Sequence, residues 1–140
     1  MSEQASAQTW TCEIQMQDGR LPDIAGLERH LRNGRVGASL RGVEAIVEGS
    51  LAEEKGEILL RVSGTGQIVR LAPLRHKVQW DVAAKREQSP TDAERNAYVR
   101  LRARWRRQPL PVRVTGPLTQ SPDARYYTLE VREFDTDLRK

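Results

Sequence analysis

The sequence predicts an α+β protein in which a small β-barrel is closed by one helix and preceded by a strand–helix extension. Short segments alternating apolar and polar residues, separated by Gly-containing turns, predict the strands. Helix-start signals near residue 90 predict the helix, and Pro109 and Pro111 divide it from two further alternating runs. At 140 residues the chain suffices for one domain with a real core but not for two. The expected organisation is a tail over 1–8, the extension over 9–42, the barrel over 43–134 and a second tail over 135–140.

The elements follow in order. In "TWTCEIQMQDG", Trp10, Cys12, Ile14 and Met16 alternate with polar neighbours and end at Asp18-Gly19, a strand and a turn. In "LPDIAGLERHLRNG", Pro22 suits a first helical turn, Asp23 its positive end and Gly34 its exit. Ile24, Leu27 and Leu31 share one face, so this helix packs on a sheet. From "LRGVEAIVEGSL" the period is two. Val43, Ala45 and Val47 oppose Glu44, Ile46 and Glu48 in a strand expected to close at Gly49, before an acidic loop "SLAEEKG".

"EILLRVSG", the turn "GTG" and "QIVRLAPL" complete a meander. "HKVQWDVAA", residues 76–84, is a fourth strand or an extended arm. In "SPTDAERNAYVRLRARWRRQPLP", Ser89 reads as the N-cap, Pro90 as the first helical residue and Asp92 as N3. Ala93, Ala97, Tyr98, Leu101 and Trp105 then form the inward arc of a helix over 89–107. The same stretch also alternates with period two at "YVRLRARWRR", but the capping signals favour the helix. "LPVRVTGPL" and "ARYYTLEVREF" close the chain as a hairpin.

Three meandering strands, a helix and two closing strands over residues 43–134 resemble the OB-fold, a five-stranded Greek-key barrel with a helix at one end. The resemblance lies in element order and implies that Leu101 and Trp105 plug the barrel and that Gly49, Gly64, Gly66 and Gly116 sit at bends and turns. Residues 9–49 in turn resemble half of a heavy-metal-associated, ferredoxin-like domain, through "TWTCEIQ" and "GVEAIVEG". Trp10 stands where that family has Met, and Gln15 where it has its second Cys. One soft ligand does not hold copper or zinc tightly, so the resemblance implies a metal site that has been lost.

Charge is lopsided. Lys and Arg number 23 against 19 Asp and Glu, but residues 1–84 hold 10 against 11 and residues 85–140 hold 13 against 8. The basic excess belongs to the C-terminal part, much of it to "YVRLRARWRR", a pointer to an anionic partner or to a solvated Arg-rich face. Candidate anion or nucleic-acid contacts are Arg95, Arg100, Arg102, Arg106 and Arg107, with Tyr126 or Tyr127 as a base platform. Adjacent strand residues face opposite ways, so only one of the two tyrosines points outward. Against nucleic acid, the acidic "SLAEEKGE" would repel phosphate, and Glu57, Leu59, Arg61 and Ser63 present no aromatic.

Catalytic material is thin. Cys12 is the single cysteine, so an intramolecular disulfide and a Cys-based zinc site are excluded. Cys12, His30 and His76 are the candidate metal donors, joined by Met1 and Met16, and no two have ligand spacing. No metal and no cofactor are therefore expected. There is no Gly-x-Ser-x-Gly elbow and no acid–base pair. "SGTGQ" precedes a strand and lacks the Lys of a phosphate loop.

No apolar run nears the roughly 18 residues of a membrane span. With no signal segment after Met1 the expected compartment is the cytoplasm, or the periplasm or exterior if a leader has been removed. These observations predict a non-catalytic binding or accessory module with a protein partner, met at a sheet edge or at the Arg-rich helix face. The alternative is an OB-type module for single-stranded nucleic acid, and a weaker one a degenerate metal-binding protein. Oligomeric state is not predicted.

Overall fold

The computed structural model describes residues 20–33, 42–78, 80–81, 83–106, 108–121, 123 and 125–138. The predicted strand over Trp10–Met16, with Cys12 in it, and the tail over 1–8 lie outside them. The described elements are α1 (Ile24–Asn33), β1 (Glu44–Glu54), β2 (Glu57–Val62), β3 (Ile68–Pro73), β4 (Trp80–Asp81), β5 (Arg86–Glu87), α2 (Asp92–Arg95), α3 (Ala97–Arg104), β6 (Leu110–Gln120), β7 (Tyr127–Val131) and β8 (Glu133–Asp135).

Strands β1, β2, β3, β7 and β6 follow one another around a closed barrel, because β6 pairs with β7 on one edge and with β1 on the other. Only β3 and β7 run parallel. Period two in the sequence becomes in and out here: Leu60, Val69, Val112, Val114, Leu129 and Val131 are wholly buried.

β1 is longer than its sequence predicts. It runs through Gly49 to Glu54, pairing with β6 over 44–51 and with β2 over 49–54. Where the two pairings overlap, a Cβ on Gly49 would lie 2.1 Å from the Arg61 carbonyl oxygen, so the missing side chain permits the crossing rather than ending the strand. The predicted acidic loop shrinks to Lys55-Gly56, both at positive φ, a two-residue hairpin turn.

Both ends of the barrel are filled. α2 and α3 follow β3, and α3 buries Ala97 and Leu101 completely, with Tyr98 and Trp105 against the same core. α1 covers the opposite end, where β7 begins. Ile24 enters the core, the Tyr127 hydroxyl donates to the Pro22 carbonyl at 2.6 Å, and the Ala25 N–H donates to Gln120 Oε1 at 2.9 Å.

The single helix expected over 89–107 is two, broken at Asn96 and finished at Arg104. The N-cap is Thr91, not Ser89: Glu94 N–H donates to Thr91 Oγ1 at 3.1 Å and Thr91 N–H donates to Glu94 Oε1 at 2.9 Å. This reciprocal pair satisfies two backbone donors, whereas Ser89 and Pro90 precede the helix. Trp105 is the C-cap of α3 in extended backbone, and its buried indole N–H has no partner among the described residues. The described residues of 76–84 supply no barrel strand. Within them β4 pairs only with β5. β8 reaches Asp135, one residue into the segment read as a tail, and Thr136 beyond it accepts a hydrogen bond from Arg104.

The β7–β8 passage carries a β-bulge. Leu129 opposes Leu118 and Glu133 opposes Thr115, so residues 130–132 span two residues of β6. The bulge sets Arg132 and Glu133 side by side. Arg132 forks onto Glu44 at 2.8 and 2.9 Å and donates to Glu94 at 3.2 Å and Glu133 at 2.7 Å. Lys77 completes the cluster 3.0 Å from Glu94. The cluster ties β1, the bulge, α2 and the segment after β3 into one seam.

Candidate binding surface

The predicted arginines sit on α2, α3 and the residues just after them. Arg95 pairs with Asp92 at 3.3 Å, and Arg100 donates to the Ala93 carbonyl while lying 5.5 Å from the centre of the Phe134 ring. Arg106 donates to the carbonyls of Ala103 and Trp105. Only the Arg102 side chain, of these four, has no partner among the described residues. Arg107 lies outside them. Most of this row is thus occupied within the chain, closing helix ends and covering an aromatic ring.

The two tyrosines separate as strand geometry requires. Tyr127 turns into the core, 6% exposed, and Tyr126 turns out, 60% exposed. The structure does not unite Tyr126 with the arginine row. Tyr126 precedes β7, whereas Arg100 and Arg104 meet Phe134 and Thr136 beyond the other end of β7. Some eight residues of extended chain, roughly 20–25 Å, separate the two.

β3 and β7 run parallel with Arg70 opposite Thr128, so Ile68 and Tyr126, each two residues before that pair, lie at the same end of the two neighbouring strands, and both are exposed. On the far side of Ile68, directly opposite it in β2, is Arg61, also exposed. Exposed Arg61 and Ile68, paired across β2 and β3, thus share one end of the sheet with Tyr126, just before β7, and the three form an outward band.

The loop that presents Tyr126 is internally tied. The Ser121 hydroxyl donates to Asp123 at 2.6 Å and accepts from the N–H groups of Arg125 at 3.2 Å and Tyr126 at 3.0 Å. Asp123 also accepts from the Arg125 N–H, and these bonds, the Ser121 hydroxyl foremost, hold its carboxyl below the usual range. The turn before Ile68 bends at Gly64 and Gly66, both at positive φ. Hydrogen bonds to the Ser121 hydroxyl thus hold the backbone N–H groups of Arg125 and Tyr126.

The chain matches no protein-family model, no curated protein and no solved structure. Function must be read from the residues themselves. Further along the same outer face, Glu54 opposes Glu57 in the β1–β2 hairpin, and Glu130 stands opposite Ala72. Glu57 pairs with Arg70 at 3.0 Å, and Glu130 accepts from the Arg75 N–H at 2.8 Å. The face is cationic and aromatic near the Tyr126 loop and acidic near the hairpin.

Among the described residues no three His, Cys, Asp or Glu side chains gather as a metal set. His30 is exposed on α1 and His76 follows β3, so the two lie at opposite ends of the barrel. No described helix is long and apolar enough to cross a membrane. Sequence reasoning passed over Ile68. Its signal was an apolar residue in phase with Arg70, on the polar side of "QIVRLAP". The Lys77–Glu94–Arg132–Glu44 cluster joins four distant segments and had no local signature.

Proposed function

We propose that the chain is a non-catalytic binding module built on an OB-type barrel, with a protein as its partner. Closure through a parallel β3–β7 pair, and helices between β3 and β6, support the OB-type reading. The observation that carries the function is the exposure of Ile68, 40%, and of Tyr126, 60%, at the same end of the neighbouring strands β3 and β7, while both ends of the barrel are covered. An aromatic and an aliphatic side chain held outward together suit a contact whose core excludes water.

Closure also bears on how a partner docks. The five barrel strands have neighbours on both sides, which disfavours strand addition along them and leaves side-chain contacts on the outer face. The non-catalytic reading is supported by Glu94, the buried carboxyl of the seam. Burial raises its pKa, but the hydrogen bonds from Thr91, Lys77 and Arg132 prevail and hold it at about 2. Such a group does not exchange protons near neutral pH.

Single-stranded nucleic acid is the second reading, favoured by Tyr126 as a stacking surface with Arg125 and Arg61 near it. Glu54, Glu57 and Glu130 on the same face oppose it. Selection of a displayed random-peptide library on the immobilised chain, counter-selected on Tyr126→Ser, separates the two. Peptides that need Tyr126 are expected. Their absence, together with oligonucleotide affinity that falls steeply with salt, would overturn the protein reading.

A further inference from the structure

Of the cations in and beside the band around Tyr126, one has no anion among the described residues. Arg70 has Glu57 at 3.0 Å, Arg125 has Asp123 at 3.9 Å, and on the neighbouring strands Arg113 has Glu48 at 2.7 Å. Arg61 is exposed, stands directly opposite Ile68, and makes no side-chain bond among the described residues. A guanidinium opposite an exposed Ile68, at the same end of the sheet as an exposed Tyr126 and without a partner among the described residues, is complementary to one carboxylate next to an apolar anchor.

We infer that the partner of this band is an acidic–apolar peptide segment, its aromatic or aliphatic side chain on Ile68 and Tyr126 and an adjacent carboxylate on Arg61. This rests on the protein-binding reading above and names the chemistry of that partner. A polynucleotide fits less well, because its affinity is built from several phosphates neutralised in succession. Here Arg61 alone in the band has no partner among the described residues, and Glu57 and Glu54 follow along the face. Glu54, opposite the Arg70-paired Glu57, also orients the segment, keeping its acidic residue at the Arg61 end and away from the hairpin.

The test extends the peptide selection. Peptides dependent on Tyr126 are expected to carry Asp or Glu within about two residues of an aromatic or aliphatic position, the reach of neighbouring strand residues. Repeating the selection on Arg61→Glu should enrich Lys or Arg at that same place. A peptide selected on the parent chain should bind Arg61→Glu about tenfold more weakly or worse, and the same peptide with its acid changed to Lys should recover. Arg61→Gln, uncharged and similar in length, should fall between, and unchanged thermal unfolding of both variants shows that folding is not the cause.

Tyr126-dependent peptides without acid enrichment, or indifferent to Arg61→Glu, would overturn this inference and leave the protein reading standing. An absence of Tyr126-dependent peptides overturns both. Oligonucleotides that bind through Tyr126 and Arg61 and displace the peptides would overturn the choice of partner.

Discussion

Arg132 shows how much one side chain joins in this molecule. Its side chain is 14% exposed and contacts Glu44, Glu94 and Glu133, and Glu94 is 11% exposed between Arg132 and Lys77. Removing one member of such a set strands the others in a poorly solvated place. Arg132→Ala is therefore expected to lose about 3–5 kcal/mol, measured by urea unfolding. The acid limb has a definite sign. The Glu94 carboxyl is depressed from 4.5 to about 2, so its contribution is complete above pH 4.5 and lost as pH falls toward 2. Stability profiles of the parent and Glu94→Gln should differ by roughly 3 kcal/mol at pH 7 and converge near pH 2. Parallel profiles across that window would refute the assignment. Gly116 is as strict, because a Cβ there would lie 1.7 Å from the Glu130 carbonyl oxygen beside the bulge. Gly116→Ala should cost about 3 kcal/mol or more by the same measurement.

At the scale of elements, the helix start gives the sharpest contrast. Ser89-Pro90 and Thr91-x-x-Glu94 are both start signals, and only the second closes a reciprocal hydrogen-bonded box. Thr91→Ala should lower stability by about 1 kcal/mol, and Ser89→Ala should leave it within about 0.5 kcal/mol. Equal losses would argue against the cap. The two signals overlap in sequence, and Glu94 was decided by Lys77 and Arg132, which lie far away along the chain. β1 illustrates the same limit. Its alternation through Leu51 was visible, but a glycine tolerated for close approach looks like a glycine that ends a strand. Strand existence and facing were legible in β2, β3, β7 and the first half of β6, because each buries one residue in two there, whereas Gly116, Pro117 and Leu118 of β6 are buried in succession.

For the molecule as a whole, the barrel closes through partners distant in sequence, β1 with β6 and β3 with β7. Such topology folds more slowly than a helical bundle of similar length. Stopped-flow refolding is expected in the range of milliseconds to seconds, with tryptophan fluorescence and far-ultraviolet dichroism following one time course. Distinct time courses would show that the α2–α3 seam docks apart from the barrel. Element order was enough to suggest closure, because a meander, a helix and a hairpin have few ways to bury their inward faces together. The Arg61–Ile68–Tyr126 band was not legible, since it depends on which strands become neighbours, and no periodicity encodes that.

The bulge can also be seen as an insertion. Arg132 is itself the supernumerary residue: excising it would let Val131 oppose Gly116 and Glu133 keep Thr115, with every other side chain on its present face. The barrel has a seamless version one residue shorter, and that version lacks the cation to which Glu44 and Glu94 are bound. A relative without the extra residue should therefore also have exchanged those two carboxylates for neutral groups, so one length change and two substitutions would travel together.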